Sequence, residues 1–96
     1  EKLRELIMKA DLYQHLALEF FEKGHRHHDQ LSQGLVEEAS EVRTASYIGN
    51  SKEVIDELGD VLWYVAIMAN QNGSSLEEIM KLNYYKLEDR KINGKK

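Results

Sequence analysis

The chain has 96 residues, a formal net charge of −4 and no cysteine. Its length suits one small domain spanning 1–96, and a core of that size is marginal alone, so self-association is expected on physical grounds. The acidic balance argues against a nucleic-acid module, the missing thiols exclude disulfides and fit a reducing cytoplasmic setting, and neither a membrane span nor a signal-peptide core is present.

Residues 1–23 place Leu3, Leu6, Ile7, Ala10, Tyr13, Leu16, Ala17, Phe20 and Phe21 at helical spacing, and Gly24 closes this first predicted helix. His25-Arg26-His27-His28 forms a polar link, after which Asp29 is a candidate N-cap for a second helix over 29–48. Gly49-Asn50-Ser51 supplies a stop and a start, with Asn50 and Glu53 at capping-box spacing. A third helix over 51–72 follows and is apolar nearly all round, which marks it as the central, buried element. Gly73 ends it, and Ser75-Leu76-Glu77-Glu78 opens a fourth helix over 75–92 before a lysine-rich, fraying end. No stretch alternates with period two. The expected fold is therefore all-α, a four-helix bundle in which sequence neighbours pack antiparallel.

Charge falls on the wrong side of these helices. In the second, the apolar stripe is Leu31, Leu35, Ala39, Val42 and Ala45; Glu38 lies inside it, with Glu37 and Glu41 along its edge. In the third, Glu57, Asp60 and Tyr64 share one stripe opposite Val54, Leu58, Val61, Leu62, Val65 and Ala69. The fourth shows the opposite sign: Asn83 and Arg90 project with Leu76, Ile79, Met80 and Leu87, and Lys86 sits beside them. A buried salt-bridge network is the plainer reading for any one acid. It weakens for the group, because one lysine and one arginine cannot neutralise five carboxylates, and an unpaired buried charge costs several kcal/mol. Hard divalent cations with oxygen ligands, Mg²⁺ above all, balance such a cluster and can bridge it to phosphates. Without histidine or cysteine on the last three helices a soft-metal site is disfavoured, and the Glu-x-x-His motif of a di-iron bundle is missing.

The run Gly34-Leu35-Val36-Glu37-Glu38-Ala39-Ser40-Glu41-Val42, followed by Asp56-Glu57-Leu58-Gly59-Asp60-Val61-Leu62-Trp63-Tyr64, resembles the MazG-like nucleoside triphosphate pyrophosphohydrolases, whose signature is E-E-x-x-E, a spacer and E-x-x-D. Asn83-Tyr84-Tyr85-Lys86-Leu87-Glu88-Asp89-Arg90 is similar to an N-x-x-K-L-x-x-R element of many members. The resemblance implies an all-α fold assembling as homodimers or homotetramers. It also implies Mg²⁺-dependent hydrolysis of a nucleoside triphosphate to the monophosphate and pyrophosphate, with Mn²⁺ able to substitute. By position, Glu37, Glu38, Glu41, Glu57 and Asp60 would bind the metal or orient water, with Glu38 and Glu41 the candidates for general base. Asn83, Lys86 and Arg90 would hold phosphates, and Tyr64 would approach the substrate. Residues 1–33 match poorly, and they are where base specificity would lie.

Other residues invite chemistry and read better as structure. His25, His27 and His28 lack closed metal-site spacing, and contact of this link with the substrate is the better expectation than a metal role. His15 reads as an ordinary helix histidine, and Trp63, off the acidic stripe, as core or subunit packing. Tyr84 and Tyr85 are expected to split, one inward and one outward, and Gly59 suggests a close helix approach. Two other functions compete with the enzyme: a nucleotide- or metal-binding regulatory module of the same fold without turnover, and a structural helical assembly protein.

Overall fold

A computed structural model of the chain describes residues 9–23 and 30–94. Four helices occupy them, α1 (Ala10–Lys23), α2 (Leu31–Ile48), α3 (Ser51–Gln71) and α4 (Leu76–Asn93), and no strand occurs among the described residues. The expectation of an all-α fold holds. Residues 1–8 and the His25–His28 link, with Gly24 and Asp29, lie outside the described part; the residue ahead of α2 is Gln30, whose side chain makes no cap.

Local chemistry sets the other boundaries. Gly49 adopts the left-handed conformation (φ 85°) that closes α2, and its N–H donates to the carbonyls of Ala45 and Ser46. Asn50 then caps α3, its Oδ1 accepting from the Glu53 N–H at 3.1 Å. This two-residue corner folds α2 and α3 into an antiparallel hairpin, the most extensive helix pair among the described residues. Ser75 caps α4 through the Glu78 N–H at 3.0 Å. The Glu78 carboxylate accepts from the Ser74 hydroxyl, a variation on the expected capping box. At the other end Gly94 is the C-cap (φ 69°), so α4 extends through Asn93, which the sequence assigned to the frayed tail.

The core lies where α1 crosses the C-terminal half of α3. Ala17, Phe21, Leu31, Tyr64, Ala66, Ile67 and Leu76 form it, with Trp63 packed alongside. Ile67 is fully buried, a contribution of about 2–3 kcal/mol from apolar area alone. Ala17 and Ala66 keep the α1–α3 contact thin enough for a buried polar side chain to cross it. Gln14 donates from Nε2 to the Ala66 carbonyl at 2.9 Å and to the Ser74 carbonyl at 3.3 Å, while its Oε1 accepts from the Leu76 N–H at 3.2 Å. One amide thus ties α1 to the end of α3 and the start of α4.

Several expectations about burial need correction. α4 is not part of the interior: Leu76 is its single buried residue, and Ile79, Met80 and Leu87, expected inward, are exposed. Tyr84 and Tyr85 are both exposed and stack edge-to-face on each other instead of splitting. α3 is central only in its second half; Leu58 and Leu62 remain exposed in the first. Gly59 meets no neighbour among the described residues, so it mediates no helix approach among them. The close approach occurs at Gly34, where an added Cβ would stand only 2.4 Å from the Tyr64 ring. On α2 the packed face runs through Leu31, Gly34 and Ala45, while Ala39, assigned to the stripe, is exposed. Phe20 on α1 is likewise exposed.

Candidate active site

The α2–α3 hairpin brings acids from both helices into one place. Glu38 sits within the packed stripe of α2 and is half-buried, as its spacing requires; Glu41, one turn later, lies at the open edge. Across the hairpin, Glu57 projects toward them from the second turn of α3. One carboxylate oxygen from each of Glu38, Glu41 and Glu57 lies within 4.8 Å of the other two. Such crowding disfavours three negative charges. Accordingly the Glu57 carboxyl is pushed up to about 7, first by loss of solvent, then by the charge of Glu41, a hydrogen bond and charge from Glu38, and the charge of Asp60.

A groove of about 600 Å³ opens beside this cluster, a volume within the range of small-molecule sites. Glu37, Glu41, Glu53 and Glu57 line it with Ser40 and Thr44; Val36, Ala45 and Ile48 supply its apolar wall. Glu37 is exposed, and its carboxylate accepts weakly from Gln33 at 3.4 Å. It borders the groove and stands outside the three-acid cluster. Asp60 also stands outside it, exposed one turn along α3. It acts through its field, on Glu57 and on Tyr13 of α1, whose phenol is raised first by burial and then by Asp60.

The remaining sequence-assigned residues are not gathered here. Tyr64 is buried with its ring against Gly34, and it makes an edge-to-face contact with Trp63 at 5.0 Å. It is a core residue in this chain. Trp63 also lies 6.3 Å from Phe21, in agreement with the packing expected of it. Asn83, Lys86 and Arg90 are exposed along α4, and Lys86 and Arg90 form no ion pair among the described residues. His15 is exposed beside Glu19 at 3.6 Å, an ordinary helix pair. Sequence reasoning missed Glu53, Ser40 and Thr44. Glu53 had a legible signal, being four residues before Glu57 on the same helical face.

The donor set is all oxygen, and it is held on two helices with one acid titrating at about 7 for want of a counter-charge. Both features fit a hard divalent cation, which would be held by Glu38, Glu41 and Glu57, with Asp60 within the same field and Glu37 on the adjoining groove wall. Among the described residues this is the one acid group close enough for such a role.

Comparison with known proteins bears on the same segment. A family described as the MazG nucleotide pyrophosphohydrolase domain matches residues 26–94. The chain is 39% identical over 51 residues to the histidine biosynthesis bifunctional protein HisIE of Lactococcus lactis. It is also 40% identical over 48 residues to the uncharacterized protein YvdC of Bacillus subtilis, and 44% identical over 45 residues to the Gene 37 protein of Mycobacterium phage L5. These alignments cover 53%, 50% and 47% of this chain but only 24%, 45% and 40% of the relatives, so the chain spans less than half the length of each. No solved structure matches it.

Proposed function

Since this chain belongs to the MazG nucleotide pyrophosphohydrolase domain family, we propose that it hydrolyses nucleoside triphosphates, deoxy or modified forms included, to the monophosphate and pyrophosphate with Mg²⁺. The convergence of Glu38, Glu41 and Glu57 oxygens within 4.8 Å, beside a groove large enough for a nucleotide, carries this reading. A triphosphate bears about four negative charges and would be repelled by an acid-lined groove unless a cation reverses the local sign. Mg²⁺ held by Glu38, Glu41 and Glu57 would supply that reversal, would polarise the phosphorus and would acidify coordinated water.

The protein's own groups divide the remaining work. Glu57 and Glu38 face each other across the hairpin and share a hydrogen bond while Glu57 is protonated; deprotonated, both present oxygens to the cation. Glu41 is exposed at the groove wall. That makes it better placed than Glu38, whose carboxylate is engaged with Glu57, to take the proton from an attacking water. Asp60 adds negative potential that draws the cation in, and Glu37 extends the acid edge. Lys86, Arg90 and Asn83 are assigned to the phosphates, where cations stabilise the charge developing on the pyrophosphate leaving group. The reading includes one domain over 1–96 and a cytoplasmic setting; no helix of the described residues is long and apolar enough to cross a membrane.

The test is a panel of ribo- and deoxyribonucleoside triphosphates with Mg²⁺ or Mn²⁺, with pyrophosphate and monophosphate measured as products. Glu38→Gln should abolish turnover and Asp60→Asn should raise the Mg²⁺ concentration needed for half-maximal rate, both with the helical circular dichroism intact. Near wild-type activity of Glu38→Gln at saturating Mg²⁺, or an unchanged Mg²⁺ requirement in Asp60→Asn, refutes the residue assignment. Thermal stabilisation by Mg²⁺ without turnover of any triphosphate points to a binding module, and no metal response points to a structural role.

A further inference from the structure

The groove beside the acids extends past the cation cluster. From Glu41 and Glu57 its lining continues toward the α2–α3 corner through Thr44, Ala45 and Ile48 on α2 and Glu53 on α3. Ala45 and Glu53 each stand four residues from the cluster, about 6 Å along their helices. This corner end has a chemistry of its own. Ala45 and Ile48 give it an apolar wall, and Ile48 is 73% exposed. Its polar groups are acceptors. The Thr44 hydroxyl donates to the Ser40 carbonyl at 3.2 Å, so its oxygen offers lone pairs to a ligand. The Glu53 carboxylate forms no ion pair among the described residues and can only accept. The groove lining holds no basic or amide side chain. A plainer role for Glu53 is to favour the start of α3, where a carboxylate meets the positive end of the helix dipole. That role explains its charge and not the bare apolar wall across the groove.

We propose that the corner end of the groove reads the nucleobase, that the base is guanine, and that Glu53 selects it. With the phosphates drawn to a cation at Glu38, Glu41 and Glu57, the sugar spans the intervening helical turn. The base then lies with one face on Ala45 and Ile48 and its edge toward Glu53. Among the common bases, guanine presents two adjacent donors, N1–H and the 2-amino group, which match the two oxygens of one carboxylate. Adenine and cytosine set a ring acceptor beside their amino group, and that acceptor is repelled by a carboxylate. Uracil and thymine flank their single N–H with carbonyls. Base selection, expected of residues 1–33, is then carried in part by the hairpin. The proposal rests on the hydrolase reading for where the phosphates sit.

Inosine nucleotides differ from guanosine nucleotides by the missing 2-amino group, so the pair isolates the contact. The wild type should hydrolyse GTP with a kcat/KM about tenfold above that for ITP, and above those for ATP, CTP and UTP. In Glu53→Gln the gap between GTP and ITP should close to about twofold, because an amide turns one acceptor into a donor. Asn50 caps α3 through the backbone N–H of Glu53, so this variant keeps the helix start, and its unfolding midpoint should stay close to that of the wild type. Equal rates on GTP and ITP, preference for another base, or an unchanged GTP-to-ITP ratio in Glu53→Gln overturns the proposal. Binding separates this failure from failure of the hydrolase reading. In calorimetric titration with Mg²⁺ present, GMP should bind the wild type about tenfold more tightly than IMP, whether or not any triphosphate turns over. That preference without turnover overturns the hydrolase reading and keeps the base assignment. Equal affinity for GMP and IMP, or binding of neither together with no turnover, overturns the base assignment.

Discussion

The carboxyl of Glu57 titrates where a cation should compete with a proton. Without a cation it is pushed up to about 7 from its ordinary value of 4.5, by desolvation and by the surrounding acids. A ligand oxygen must be deprotonated, so the apparent metal dissociation constant is multiplied by one plus the proton-to-Glu57 ratio. That factor is about 11 at pH 6 and about 1.1 at pH 8, so Mg²⁺ or Mn²⁺ should bind about tenfold more weakly at pH 6. Calorimetric titration in buffers of different ionisation enthalpy counts the protons released, about 0.9 per site at pH 6, about 0.5 at pH 7 and about 0.1 at pH 8. The sign for stability follows from the same shift. A raised carboxyl favours the folded state when protonated, so in the metal-free protein this contribution is full below pH 4.5 and is lost as pH rises through 7. A bound cation removes that loss, so thermal stabilisation by Mg²⁺ should grow between pH 6 and pH 8. Glu57→Gln removes the titrating proton and should flatten both profiles. Metal affinity that is level between pH 6 and pH 8, or that keeps the same slope in Glu57→Gln, refutes the placement of Glu57 on the cation.

Three further outcomes concern the scaffold. Gln14→Leu keeps the bulk but leaves the Leu76 N–H and the Ser74 carbonyl without their amide partner; it should cost about 2–3 kcal/mol in urea unfolding, and a loss below about 0.5 kcal/mol would contradict the clamp. Gly34→Ala drives a methyl into the Tyr64 ring and should cost about 1–3 kcal/mol, with Gly34→Ala/Tyr64→Ala showing a coupling of opposite sign in a double-mutant cycle. Ser75→Ala removes the cap of α4 and should lower stability by about 1 kcal/mol; loss of amide protection confined to the first turn of α4 in hydrogen exchange would locate the effect there.

Cap chemistry was enough to place the end of α2, the start of α3 and the start of α4, because Asn50, Ser75 and the glycines act locally and do not depend on what packs where. By contrast α1, expected from the first residue, is helical from Ala10 and not at Lys9. The acids were legible for a related reason: Glu38 broke the stripe of its own helix, and the structure keeps it half-buried there. The same rule applied to Gln14 would have flagged it, since it falls in register with Ala10, Ala17 and Phe21. An uncharged amide simply drew less notice than a carboxylate. α4 was misplaced because periodicity tells which residues share a face and not whose surface meets that face. Its large apolar residues, Leu82, Tyr84 and Ile92 among them, are also spread around the helix, so no single side was strongly marked. Gly34 and Gly59 were indistinguishable in the sequence, and only the crossing of a tyrosine ring assigns the close contact to the first.

The Gly34–Tyr64 contact has a further consequence for the acids. It lies one helical turn from Glu38 and about two turns from Glu57 on the same pair of helices, so the helix separation it sets is carried to the carboxylates. A bulkier residue at position 34 would wedge α2 and α3 apart and spread the Glu38, Glu41 and Glu57 oxygens that now lie within 4.8 Å of one another. The spacing of the candidate cation site would thereby be set from a position outside it.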